Sequence, residues 1–430
     1  MLNAVLFFEG VGTLYTGSLC HLPVSLVFIP YNRLSGVFEI QLNVYQSAAM
    51  GALILVLGII LVKHSPTLRK FCIPAAVAGG LLFSLVNTGF HYADVTEFTF
   101  DDTLKNFFMM MFFCSIGFTA SFRMLKSGGK FVLLLLALVS VVLVIQDLVG
   151  VSIASAFGMD PKLGLCLGSI SLTGGHGTAA SYGQLLAEEY GITSATTVAV
   201  AAATFGLAVS GFIGGPLARK RIEQYDLKPD EEDIELAQEE EVPRMVDNQH
   251  FLHSLILMIV CIGIGSFLVT DLKGLGITVP VYLGAMIFAL IIRNVADCYS
   301  IVLPIREIVT LGTICLSMFL AMALMEMKLW QLTDLAAAMV ITLLLQTVIV
   351  ALFAYFIIFK ATGSNYDSAA YTTASCGFLL GATPNAMANM DALFEEHGKA
   401  PAAYFVVPLV GSVFIDFINT GVLTVFLGIL

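Results

Sequence analysis

The chain has 430 residues, of which 58% are hydrophobic and only 12% charged, with a formal net charge of −11. Soluble domains carry about 25% charged residues, and apolar runs long enough to cross a bilayer recur along this chain, which excludes a soluble fold. The runs lack strand-period alternation, which excludes a β-barrel, and much of the negative charge sits in one run, Asp230 to Glu241, that reads as a solvated linker.

Residues 1–36 differ from the rest. They mix short apolar pieces with Pro23, Pro30, Asn32 and Arg33, and no clean membrane span emerges. No basic region precedes an apolar core, so a secretory signal is not indicated. Two readings are open, a loose extra segment or an upstream extension included by a mistaken start; in either the stretch is expected to be dispensable, with regular membrane spacing starting near Val37.

From there, apolar segments fall at about 45–62, 73–91, 106–122, 131–157, 163–186 and 194–217. A charged linker, 219–250, follows. Further segments fall at about 252–270, 277–292, 307–325, 332–359, 366–393 and 402–428. The order repeats itself. The second segments open alike, at Ile73 and Val279, and the fourth segments each carry a glutamine, Gln146 and Gln346. The fifth segments are both interrupted by glycine. This reads as an internal repeat of roughly 180 residues.

Positive charge sets the topology. Lys63, Arg69 and Lys70 are expected in the cytoplasm, as are Arg123, Lys126 and Lys130, whereas the acidic loop Asp94 to Asp102 is expected outside. If segment 163–186 crossed fully, Arg219-Lys220-Arg221 would fall outside, against the rule. If it dips in and returns, the cluster is cytoplasmic, together with Arg293, Arg306, Lys360 and Lys399. The predicted fold is therefore an all-α polytopic membrane protein of two inverted repeats, 37–218 and 251–430. Each repeat has about five spanning helices and one re-entrant, glycine-broken hairpin. The alternative is twelve full spans with parallel halves.

The first broken segment, Gly168 to Gly183, packs five glycines, one histidine and several hydroxyls into sixteen residues. Glycine costs a helix about 1 kcal/mol relative to alanine. Broken backbone at membrane depth survives only where protein or a water-filled cavity covers it, so the segment should line a site. His176 either holds the local backbone or contacts substrate. The hydroxyls Ser169, Ser171, Thr173, Thr178 and Ser181 exceed what helix back-bonding requires, and hydroxyl and carbonyl oxygens also suit a dehydrated Na⁺.

The second broken segment runs from Cys376 to Met390. Gly381-Ala382-Thr383-Pro384 should interrupt the helix, and a new helix should start near Pro384 with its positive end toward the site. Asn385 and Asn389 then share a face. The intramembrane acids Asp147, Asp367, Asp391 and Asp416 are functional candidates by cost alone. Asp416, with Asn419 close by, is the deepest-looking of the second half. Lys and Arg are essentially absent from the spans, so an anionic substrate would rely on helix ends, hydroxyls and amides. The eight cysteines form no CxxC pair and read as small buried hydrophobes. The expected substrate site is Ser171, Thr173, Gly174, Gly175, His176, Gly177, Thr178, Thr383, Pro384, Asn385 and Asn389. The expected ion site is Ser169, Gly381, Ala382, Asp416 and Asn419.

The chain resembles the bacterial sodium/glutamate symporters. The resemblance is carried by GSISLTGGHGT from Gly168, TVAVAAATFGL from Thr197, GGPLAR from Gly214, SMFLAMALMEMKLW from Ser317, GATPNAMANM from Gly381 and FVVPLVG from Phe405. It runs from about Val37 to the C-terminus. It implies a Na⁺-coupled carrier of glutamate or a similar anionic amino acid in the bacterial inner membrane, working as a homodimer by domain movement. Na⁺ would be the coupling ion, with no cofactor and no nucleic-acid partner. Two other readings stand beside it. A cation/proton antiporter would lean on Asp147 or Asp416. An intramembrane enzyme would need His176 to form a dyad with a nearby serine.

Overall fold

A computed structural model of the chain describes residues 31–32, 38–66, 68, 73–93, 95–123, 129–229, 248–275 and 279–430. The expected N-terminal segment lies outside the described residues except for Tyr31–Asn32, as does the acidic part of the linker.

Helices appear where the apolar segments were expected. The first half holds α1 (Val44–His64), α2 (Ala75–Tyr92), α3 (Thr103–Thr119) and α4 (Gly129–Ala156). Three short helices then replace one span: α5 (Pro161–Cys166), α6 (Ser169–Leu172) and α7 (Gly175–Tyr190). The half closes with α8 (Ala195–Tyr225). The second half holds α9 (Asn248–Gly274), α10 (Tyr282–Cys298), α11 (Ile305–Met325) and α12 (Ala336–Ala361). Its broken segment is α13 (Tyr366–Leu380) and α14 (Thr383–His397). The chain ends in α15 (Pro401–Leu409) and α16 (Ile415–Ile429), joined by a π turn. Six helices among the described residues are long and apolar enough to span a bilayer. The protein is a multi-pass membrane protein.

Local chemistry explains the ends. Asn43 caps α1 by accepting from Tyr45 N and Gln46 N, while the Gln46 side chain accepts from Asn43 N. Asn365 and Ser368 close the same box at the start of α13. Gly191, in the left-handed region at φ 71°, ends α7.

The chain is helical as expected, with one small sheet beside the helices. A three-stranded sheet pairs β1 (Tyr31–Asn32) with β2 (Phe38–Gln41) antiparallel and β2 with β3 (Thr96–Thr99) parallel. FEIQ alternates in period two and TEFT does not, and both are too short to signal strands in a chain dominated by apolar helix runs. Tyr31 and Asn32 thus have partners, although they fall within the stretch expected to be dispensable.

The helices sort into two bundles that do not follow chain order. The first three helices of each half, α1–α3 and α9–α11, pack on one another. The remaining helices, α4–α8 and α12–α16, form the other bundle around α8. In the first bundle, α3 inserts between α10 and α11. Close crossings are made glycine to glycine: Gly58 against Gly79 between α1 and α2, and Gly265 against Gly284 between α9 and α10. In lipid, where apolar burial gives helices no extra attraction, such small-residue crossings supply the packing. The bundles face each other mainly across α3 and α11 on one side and α7 on the other.

Candidate functional site

The two broken segments approach α8 from its opposite ends. Both ends of the first lie together: Lys162 Nζ sits 5.1 Å from the Tyr190 ring centre, and Gly183 of α7 packs on Thr196 at the start of α8. Both ends of the second also lie together, because the Tyr366 hydroxyl donates to the Gly398 carbonyl. They sit at the far end of α8, where Arg219 pairs with Glu396. By its rise per residue, α8 is roughly 46 Å long, so each segment has only half its length to travel.

The breaks meet near the middle of α8. At Gly206, a Cβ would lie 2.0 Å from the Leu380 carbonyl and 2.9 Å from Leu172 Cδ2, so only glycine lets both breaks cross there. Gly175 adopts φ +63°, and its Cβ position lies 3.1 Å from the Gly381 carbonyl and 3.8 Å from Ala382 Cβ. That conformation costs a side-chain-bearing residue roughly 1–2 kcal/mol. Helix α7 starts at Gly175 and α14 at Thr383, so two helix N-termini begin at the contact. Their first N–H groups have no intrahelical acceptor and carry partial positive charge.

A buried polar network holds the breaks. Gln146 Nε2 donates to the Leu379 carbonyl at 2.8 Å, and Thr173 Oγ1 donates to Gln146 Oε1 at 2.7 Å. Gln346 Nε2 donates to the Gln146 carbonyl at 2.7 Å. The two glutamines noted at matching depth therefore brace both breaks. A second cluster joins Asp147, Ser169 and Asn419. Asp147 Oδ1 accepts from Ser169 N at 2.8 Å. The Ser169 hydroxyl lies 2.9 Å from Asp147 Oδ2 and 2.6 Å from Asn419 Oδ1. Asn419 Nδ2 donates to the Ser169 carbonyl at 3.2 Å.

The expected site residues divide into three groups. Gly175, Gly381 and Ala382 come together, as do Ser169 and Asn419. Pro384 is exposed, Thr383 and Gly177 are half-buried, and a Cβ on Gly177 would meet Phe112 of α3 at 3.0 Å and Leu316 of α11 at 3.8 Å. The open side of the contact thus faces the other bundle. The third group is committed to structure. Asn385 donates to the Leu207 carbonyl and Ser210 Oγ, both at 2.9 Å, and Asn389 donates to the Ser210 carbonyl at 3.2 Å. Ser171 donates to the Cys166 carbonyl, and Gly174 packs on Thr178. His176 Nε2 pairs with Thr204 Oγ1 at 3.0 Å, not with a serine, so the enzyme dyad is not formed.

Asp416 makes no hydrogen bond to Ser169 or Asn419 and lies instead within electrostatic range of Tyr282 in the other bundle. The carboxylate beside Ser169 belongs to Asp147, which sequence reasoning named as an intramembrane acid and under the antiporter reading but left out of the expected ion site. Its neighbour Gly168, where a Cβ would lie 2.7 Å from Asp147 Oδ1, was the available signal. The expectation that Lys and Arg are absent from the buried interior also needs correction. Lys105 is 5% exposed and paired with Asp102 and Glu326. Arg221 is 6% exposed, donates twice to the Tyr355 carbonyl and stacks 3.7 Å from the Tyr355 ring centre. Both lie at helix ends, where long side chains bury their stems, Lys105 against two carboxylates and Arg221 against a carbonyl and aromatic rings. Neither touches the contact between the breaks. No group of three or more metal-ligating side chains occurs among the described residues.

A multi-pass helical bundle, with two interrupted segments meeting across one long helix, has the architecture of a secondary membrane transporter. The chain belongs to the sodium/glutamate symporter family, whose family model matches residues 40–399. The sodium/glutamate symporter of Escherichia coli K12 is 38% identical over 394 residues, 90% of this chain and 98% of that protein. The sodium/glutamate symporter of Haemophilus influenzae Rd is 36% identical over 390 residues, 89% of this chain and 96% of that protein.

Proposed function

We propose that this protein carries glutamate into the cell with Na⁺, across the bacterial inner membrane, by alternating access. One observation carries the reading. Gly175 lies against the Gly381 carbonyl where α7 and α14 begin, so two helix N-termini converge on one point. Neither buried cation touches that point. A carboxylate there is met by backbone N–H groups and helix ends, which bind anions without a guanidinium. The half-exposed rim, Gly174, Gly177, Ala382 and Thr383, opens toward Phe112 and Leu316. Movement of one bundle past the other would carry that rim from one face of the membrane to the other.

The broken segments act as re-entrant hairpins in two inverted repeats, 37–218 and 251–430. Support comes from the joined ends of each segment, from their approach along α8 from opposite ends, and from matching glycine crossings in each half. The coupling ion binds at Asp147, Ser169 and Asn419. Three oxygens cluster there around a single hydroxyl proton, and a dehydrated Na⁺ would satisfy the acceptors that this proton cannot. Ser169 sits directly ahead of the first break, so ion binding stiffens the segment that holds the substrate. The substrate site then reduces to the backbone of Gly175, Gly381 and Ala382 with Thr383. His176, Asn385 and Asn389 hold it in shape. The working form is a homodimer.

Uptake into proteoliposomes, across a panel of amino acids with and without an inward Na⁺ gradient, tests the proposal. Glutamate accumulation that follows the Na⁺ gradient is expected. Accumulation driven equally by K⁺, or counterflow of protons without any amino acid, would reject it.

A further inference from the structure

Away from the crossing, a polar cleft of about 230 Å³ lies between the two bundles. One wall is α3 and the end of α11, with Lys105 and Glu326. The other is the far half of α7 and the start of α8, with Gln184, Glu188 and Thr197. Gln331, in the 3₁₀ turn after α11, completes it. The mechanism above uses none of these residues.

The hydrogen bonding here is incomplete in a particular way. Lys105 Nζ has three protons. Asp102 takes one at 2.7 Å and Glu326 Oε2 another, which leaves the third. Glu326 Oε1 and Gln331 Oε1 are both buried and without a hydrogen-bond partner. An orphaned buried acceptor costs about 1–3 kcal/mol, and more if charged. The lining of the cleft therefore holds one charged donor with a proton to spare and two residues, Glu326 and Gln331, each with a buried acceptor lacking a partner. An α-amino acid head group, with one carboxylate and one ammonium, has the complementary pair.

The cleft also stands on the way to the crossing. Ala180, Gln184 and Glu188 of α7 continue the helix face of Gly177 at spacings of three to four residues. Phe319, Ala323 and Glu326 of α11 continue the face of Leu316 in the same manner. By helix rise, Gln184 is roughly 10 Å beyond Gly177. Asp102 places the mouth at the face that carries the acidic loop.

We propose that this cleft is a second amino-acid subsite, at which the head group of the incoming zwitterion docks before it reaches the crossing. Lys105 receives the carboxylate, and Glu326 with Gln331 receives the ammonium. The proposal rests on the reading of the protein as an amino-acid carrier. A subsite on one side of the crossing acts on substrate arriving from that side alone, which a general defect in folding or movement would not.

The test measures the KM for glutamate separately from each face of vesicles containing the full-length protein. Gln331→Leu removes one bare acceptor and leaves the Lys105 ion pair in place. Glu326→Gln keeps a hydrogen-bond acceptor for Lys105 and removes the charge. Each is expected to raise KM about tenfold at one face and leave the other unchanged. The preference for glutamate over glutarate, which lacks the ammonium, should fall at that face only. A KM unchanged at both faces, or raised equally at both, overturns the subsite. Wild-type protein that carries glutamate from neither face would instead remove the carrier reading, and the subsite with it.

Discussion

The crossing at Gly206 gives the most quantitative test of how the breaks are held. In Gly206→Ala the new Cβ falls 2.0 Å from the Leu380 carbonyl oxygen and 2.9 Å from Leu172 Cδ2. The neighbour at 2.0 Å is backbone, so it cannot rotate away. The second break, or α8 itself, must shift by about 1 Å to restore ordinary contact, and such overpacking costs roughly 1–3 kcal/mol. Displacing a binding geometry by about 1 Å can lower rate by roughly a hundredfold. Gly211→Ala supplies the control on the same helix. Nothing lies within 4 Å of its Cβ position, so it should be neutral or gain about 0.5–1 kcal/mol from reduced chain entropy. The assay is initial-rate glutamate uptake under a Na⁺ gradient, with thermal unfolding of both purified variants. Gly206→Ala should lose nearly all uptake while Gly211→Ala keeps it. Wild-type uptake in Gly206→Ala would refute the claim that the breaks must meet at this point of α8.

Asp147→Asn preserves shape near Ser169 but removes the charge and replaces one of the two acceptor oxygens with an NH2 donor. The Na⁺ concentration for half-maximal uptake should rise about tenfold or more, with a smaller effect from Asp416→Asn, and equal effects would return Asp416 to the ion site. For topology, Lys220→Cys should be labelled only from the cytoplasmic face and Val95→Cys only from outside. Both positions are exposed, whereas Arg221 is too buried to serve, and external labelling at position 220 would remove the five-span count.

The helices were legible because membrane spans need long apolar runs, and each of the twelve segments became one helix or a run of two or three shorter ones. The breaks were legible for the converse reason: glycine and proline at membrane depth are costly enough to mark themselves. The pairing of Gln146 and Gln346 was foreshadowed by their matching positions. What the residues did not announce was tertiary. Nothing local to Asp147 says that it reaches Ser169, 22 positions on, while the more conspicuous Asp416 does not. Asn385 and Asn389 share a face as expected, but that face meets the carbonyls of α8. Lys105 lies just ahead of the apolar run 106–122, and nothing in that run shows that α11 brings Glu326 beside it. The division into two bundles mixes the halves, and hydrophobic periodicity carries no information about which helices pair.

If glutamate binds where Gly175 meets Gly381, equilibrium binding will show it. Radiolabelled glutamate is titrated onto purified wild-type protein and Gly175→Val, each in Na⁺ and in K⁺, with thermal unfolding to confirm that the variant is folded. Valine is β-branched, strained at φ +63°, and would fill the space beside the Gly381 carbonyl. Binding at this contact requires saturable uptake of label by wild type in Na⁺ alone, and none by the folded variant. Wild-type affinity in Gly175→Val would place the substrate elsewhere and contradict it.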